Sequence, residues 1–120
     1  MKKLVLAIDF DGTIAELAFP EVGALRKDAD KVIRQLYSDG HSIVINTCRS
    51  GRHEGMAQDF LEENNIPYHI INSNLPELIT LYNADCRKIS ADIYIDDKCL
   101  MGLPSWEDIY ILIKNKSNEK

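Results

Sequence analysis

The sequence predicts an α/β fold in which a parallel, Rossmann-like sheet lies between layers of helices, a three-layer sandwich. Three observations carry the prediction. Short unbroken apolar runs, Leu4 to Ile8 first among them, have the pattern of strands buried on both faces. Between them lie segments whose apolar residues recur at helical spacing. The two kinds alternate along the chain, and alternation of this kind means parallel strands joined by right-handed crossovers.

Leu4 to Ile8 is the first predicted strand. Ala29, Val32, Ile33 and Leu36 then stand at i, i+3, i+4 and i+7, one face of a helix. Asp39-Gly40 ends that helix, with Gly40 suited to a left-handed cap. Ser42 to Asn46 reads as a second buried strand. A helix follows from about His53 to Asn64 and is expected to bury Met56, Ala57, Phe60 and Leu61. Tyr68 to Ile71 reads as a third strand, ending at Asn72. Leu75, Leu78, Ile79 and Tyr82 repeat the helical spacing, with Pro76 near the start, where its missing N–H costs nothing. Ala91 to Ile95 is the fourth strand. The last segment is ambiguous, because Ser105-Trp106-Glu107-Asp108 resembles a helix cap whereas Ile109 to Ile113 has strand composition. A helix is expected there, anchored by Trp106, with Lys114 to Lys120 fraying.

Length and composition set bounds. The chain has 120 residues, enough for one domain, residues 1–120, around a single core. No repeat, linker or low-complexity segment divides it. The formal net charge of −5 argues against non-specific nucleic-acid binding. Cys48, Cys86 and Cys99 show no metal-ligand spacing and are expected to be reduced thiols, as in a cytosolic protein. The apolar start stops at Asp9, short of the ~7–15 residues of a signal core, and nothing approaches the ~20 of a membrane span. These features imply a soluble, cytoplasmic protein with no membrane partner.

Chemistry gathers at the strand ends, where open α/β sheets bind ligands. The first strand ends in Asp9-Phe10-Asp11-Gly12-Thr13, the second in Asn46-Thr47-Cys48-Arg49, and the fourth in Asp96-Asp97. Four carboxylates on one sheet edge repel one another and call for a cation. Oxygen ligands suit a hard ion, and Mg²⁺ is the usual companion of phosphate. With its charge screened, an aspartate can attack phosphorus and form an aspartyl-phosphate that water later hydrolyses.

Asp9-Phe10-Asp11-Gly12-Thr13 after an apolar strand resembles the Asp-x-Asp-x-Thr motif of the haloacid dehalogenase (HAD) superfamily. The resemblance implies a HAD-type phosphatase with Asp9 as nucleophile and Asp11 as general acid and base, the Asp11 carbonyl also binding the metal. Thr47 matches the Ser or Thr of the second motif and would bind a phosphoryl oxygen. Lys88, eight residues before Asp96, matches the lysine of the third and would neutralise charge on the nucleophile and the phosphoryl group. Asp96-Asp97 matches the acidic pair that holds Mg²⁺. The implied metal ligands are therefore Asp9, Asp11, Asp96 and Asp97. The resemblance spans about Lys3 to Lys98. The intervals Thr13 to Thr47 and Tyr68 to Lys88 have no room for a cap domain, so the resemblance is to a capless core. Because caps select substrates in that family, the phosphorylated substrate stays unidentified.

The same positions admit other readings. An EF-hand loop beginning at Asp9 would need Gly and Glu where Ile14 and Pro20 stand. A receiver domain carries its aspartate after the third strand, which here ends at Asn72. A non-catalytic phosphate- or nucleotide-binding module, or a phosphotransferase, is the alternative function on the same fold. Arg49 and Arg52 are candidates for substrate phosphate, since a guanidinium suits bidentate contact, or are solvated. Arg87 is the neighbour that could replace Lys88. His41 and His69 read as structural, His53 as near the site, and Cys48 as a small packed residue. The segment Glu16 to Lys27, with apolar Leu17, Phe19 and Pro20, is expected to contact the substrate or a second subunit, unless Phe19 tucks into the core. Either the substrate is large enough to cover the site itself, or a second subunit of a homo-oligomer supplies the cover.

Overall fold

A computed structural model of the protein describes residues 1–119. The elements are β1 (Val5–Ile8), α1 (Ala29–Ser38), β2 (Ser42–Ile45), α2 (Gly51–Glu63), β3 (Ile70–Ile71), α3 (Pro76–Tyr82), β4 (Ile93–Ile95) and α4 (Trp106–Ser117). All three strand pairings are parallel, and the order across the sheet is β3-β2-β1-β4. The predicted α/β sandwich is the fold observed. The order reverses after β3, so the crevice beyond β1 and β4 is the switch point where such sheets bind ligands.

Leu6 and Ile8 of β1 and Ile43 and Ile45 of β2 share one face of the sheet. They pack with Ile33 and Leu36 of α1, Ala57 and Leu61 of α2, and Trp106, Ile109 and Ile113 of α4 in one buried cluster. Ala7 and Val44 alternate with them, point to the opposite face and are also fully buried. A right-handed crossover from β3 back to β4 sets α3 on that second face. This two-sided burial is what the unbroken apolar runs predict.

Some expectations change. α2 starts at Gly51 rather than His53, and Met56 and Phe60 are only half-buried. β3 is two residues long, because only Ile70 and Ile71 reach register with β2. α3 forms but buries none of its own residues, with Leu81 and Tyr82 in solvent. The last segment is helical, capped by the Ser105 hydroxyl, which accepts from the Asp108 N–H at 3.1 Å. It stays helical to Ser117 where fraying was expected; Lys120 lies outside the described residues. The reason is a clasp: Lys2 N–H donates to the Ser117 carbonyl at 2.7 Å, and the Ser117 hydroxyl donates to the Lys2 carbonyl at 2.5 Å.

His41 and His69 are structural, as expected. His41 is buried and its Nδ1 accepts the Leu4 N–H at 3.0 Å. Burial lowers its pKa below the usual 6.5, Lys3 adds to the effect, and Asp39 opposes it. His69 Nδ1 accepts the Ile43 N–H at 2.9 Å.

Candidate active site

β1 delivers Asp9 to the sheet edge, and the chain then turns at once. The Phe10 carbonyl accepts the N–H groups of Thr13, Ile14 and Ala15, and Gly12 N–H donates to Ala15. Gly12 has φ +83°, and a Cβ there would come within 2.7 Å of the Asp97 carboxyl carbon. Only glycine lets the β4 end approach the β1 end this closely. Thr13 joins the two. Its hydroxyl accepts the Asp97 N–H at 3.0 Å and lies 3.1 Å from Asp9 Oδ2 and 3.3 Å from Asp97 Oδ1. Trp106 fixes Thr13 from below, its Nε1–H donating to the Thr13 carbonyl at 2.9 Å.

Asp9, Asp96 and Asp97 each place a carboxylate oxygen within 4.8 Å of the others. Among the described residues no lysine or arginine pairs with any of them; the ion pairs present are Arg34–Asp30 and Arg49–Asp11. The Asp9 pKa is pushed up to about 7. Burial is the main cause, a hydrogen bond with Asp97 and the charge of Asp96 add to it, and bonds from Thr13 and the Phe10 backbone oppose it. Three crowded, uncompensated carboxylates are a donor set that fits a hard divalent cation.

Asp11 is not in this cluster. Arg49 holds it in a bidentate pair, Nε to Oδ2 at 2.7 Å and an Nη to Oδ1 at 2.8 Å. Arg49 is 2% exposed. Its other N–H groups go to the carbonyls of Pro20 (3.1 Å), His53 (3.3 Å) and Glu21 (2.8 Å). A guanidinium has five N–H donors, and all five are used. In this arrangement Arg49 keeps no free N–H for a phosphate, unlike the expectation that it binds substrate. Its plane lies between two rings, 5.6 Å from the Phe10 centroid and 5.0 Å from that of Phe19.

Asp9, Asp11, Thr47, Cys48, Arg49, Asp96 and Lys98 line one cavity of about 280 Å³, together with Leu17 and Phe19. Thr47 is placed by its own N–H, which donates to Asn72 Oδ1 at 2.8 Å, while its hydroxyl accepts the Arg49 N–H at 3.1 Å. Cys48 is exposed in the cavity wall rather than packed. Phe19 is exposed too and does not tuck into the core. His53 supports it, ring centroids 5.2 Å apart.

Two candidates are not brought to this cavity. Arg52 is exposed on α2 and is not among the lining residues. Lys88 is exposed with its Nζ 5.1 Å above the Tyr94 ring. The lysine that lines the cavity is Lys98, whose N–H donates to Asp96 Oδ1 at 2.9 Å. Sequence reasoning passed over Lys98, although its place directly after the acidic pair was the available signal. It also passed over Asn72, which accepts from Thr47 and donates to the Arg49 carbonyl at 3.1 Å and Glu54 Oε1 at 3.0 Å. Asn72 has φ +52°, a conformation asparagine tolerates better than most residues.

No family model and no curated protein matches the chain. Among solved structures, a conserved protein from Bacteroides thetaiotaomicron is similar, at 30% sequence identity and a TM-score of 0.88. The match covers 96% of this chain and 93% of that one. Identity at this level over nearly the whole of both chains is more than a shared fold, and the chain belongs to the same family as that Bacteroides protein.

Proposed function

We propose that the chain is a magnesium-dependent phosphomonoester hydrolase of the HAD type, using Asp9 as nucleophile. The observation that carries the reading is the convergence of Asp9, Asp96 and Asp97 at the switch point of a parallel sheet, with no protein cation paired to them. Asp9, Asp96 and Asp97 would hold Mg²⁺. The ion would screen the carboxylates from the incoming phosphate and stabilise charge on its oxygens.

An Asp9 oxygen attacks phosphorus, and the bond to the leaving oxygen breaks. Asp11 gives that oxygen a proton. In the second half Asp11 takes a proton from water, the water oxygen attacks phosphorus, and the bond to Asp9 breaks, releasing phosphate. Arg49 fixes the Asp11 carboxyl while leaving a lone pair on each oxygen for this exchange. Thr47 offers a hydroxyl to a phosphoryl oxygen. Lys98 supplies the positive charge that the HAD resemblance assigned to Lys88, because Lys98 lines the cavity.

Hydrolysis of an aryl phosphate, followed with and without Mg²⁺, tests the reading. Turnover is expected only with the metal, and Asp9→Asn is expected to abolish it while the fold survives, since an amide is a poor nucleophile. Activity of Asp9→Asn within tenfold of the parent would defeat the assignment.

A further inference from the structure

The chemistry assigned to the cavity leaves the Phe19 side of it without a task. Phe19 and Leu17 line the cavity beside the carboxylates and are 56% and 63% exposed. A lone exposed phenylalanine is ordinary. Phe19 differs because neighbouring groups hold its ring beside the cavity. The guanidinium of Arg49 lies 5.0 Å from its centroid, and Arg49 also donates to the carbonyls of Pro20 and Glu21, the two residues that follow it. The His53 ring meets Phe19 at 61°. A ring fixed in advance costs no ordering entropy when a ligand arrives.

Charge and size limit what that ligand can be. With Arg49 saturated, Lys98 is the one cation lining the cavity, among the described residues, that has donors to spare. Together with a bound Mg²⁺, that leaves charge for the reacting phosphoryl group at the carboxylate end of the cavity and none from side chains at the Phe19 end. The volume of about 280 Å³ lies at the small end of ligand pockets and suits a small monoester.

We propose that the substrate is a phosphate monoester whose leaving group carries a planar aromatic ring, aryl or nucleobase, and that Phe19 is the platform on which this ring stacks. The inference rests on the phosphohydrolase reading for its choice of cavity. Stacking of a flat ring on an aromatic side chain is tolerant of the ring's identity, so both sources share the chemistry.

Calorimetric titration of the Asp9→Asn protein in Mg²⁺ tests it, because binding is then read without turnover. The probes are phenyl phosphate, uridine monophosphate and ethyl phosphate, each against Phe19, Phe19→Ala and Phe19→Tyr backgrounds, with thermal melting to verify folding. One or both ring esters are expected to bind about tenfold more tightly than ethyl phosphate. Phe19→Ala is expected to erase that preference and Phe19→Tyr to keep it. Preference for phenyl phosphate alone identifies an aryl ester, and preference for uridine monophosphate a nucleotide. Equal or undetectable affinity for ring and alkyl esters, or a preference that survives Phe19→Ala, would overturn the inference. Turnover by the protein with Asp9 intact decides the phosphohydrolase reading separately. Hydrolysis without any ring preference defeats this inference alone.

Discussion

Arg49 and Lys98 divide between them what a sequence reader assigns to arginines and lysines in general. Arg49 stands next to Thr47 and Cys48, and its closeness to the site was legible from that position. Its role was not, because a sequence does not count donors. Once Asp11 and three carbonyls have taken every N–H, the guanidinium is a fastening. Lys88 was chosen for its distance ahead of Asp96, but a spacing does not show where a flexible stem points, and its ammonium rests over Tyr94. Lys98→Ala is therefore expected to lower kcat on an aryl phosphate by ~10²-fold, about 3 kcal/mol on the barrier. Lys88→Ala is expected to stay within threefold of the parent. Steady-state kinetics of the two variants side by side checks this, and the reverse ranking would restore Lys88.

At the scale of elements, the strands were the most legible part. A run such as Ile43-Val44-Ile45 has one physical meaning when both faces of a sheet are covered. α3 was legible as a helix from its spacing, yet not in its exposure, because spacing does not show whether a helix face meets the sheet. The end of α4 was misread because its Ser117 partner, Lys2, lies at the other end of the sequence. The three carboxylates of the site are held together by the β1 loop meeting the end of β4, and Gly12 is where they touch. Gly12→Ala is expected to cost roughly 1–3 kcal/mol from the left-handed backbone alone. The intruding methyl group should also push Asp97 out of the cluster. Chemical denaturation measures the first effect. Loss of the melting-temperature rise produced by Mg²⁺ measures the second, and a full Mg²⁺ response in this variant would show that Asp97 is not a ligand.

For the molecule as a whole, the acidic cluster ties stability to pH and, on the proposed reading, to Mg²⁺. Folded Asp9 titrates near 7, against an ordinary value of 3.8. Between those values the folded state holds a proton that the unfolded state has released. This group's contribution therefore makes stability fall as pH rises from about 4 to about 7, and become flat above. His41 acts in the other direction, since its lowered pKa means that the unfolded state takes up more protons as pH falls below 6.5. Comparing the parent with Asp9→Asn cancels His41 and isolates Asp9. Thermal melting at pH 5 and pH 8 should show the parent losing stability relative to Asp9→Asn as pH rises. Added Mg²⁺ binds the deprotonated carboxylates in competition with protons and should stabilise the parent more at pH 8 than at pH 5. Equal Mg²⁺ effects at both pH values would dissociate Asp9 from the metal.

The segment between β1 and α1 has a kinetic consequence. Its base is laced by Glu16 N–H to the Ala24 carbonyl and Arg26 N–H to the Ile14 carbonyl, and Arg49 pins its crest through Pro20 and Glu21. A segment fastened at base and crest is expected not to swing over the cavity. Small molecules are then expected to reach Asp9 without a gating step. The observed association rate should climb in proportion to ligand concentration without levelling off, since a plateau is the signature of a slow opening step.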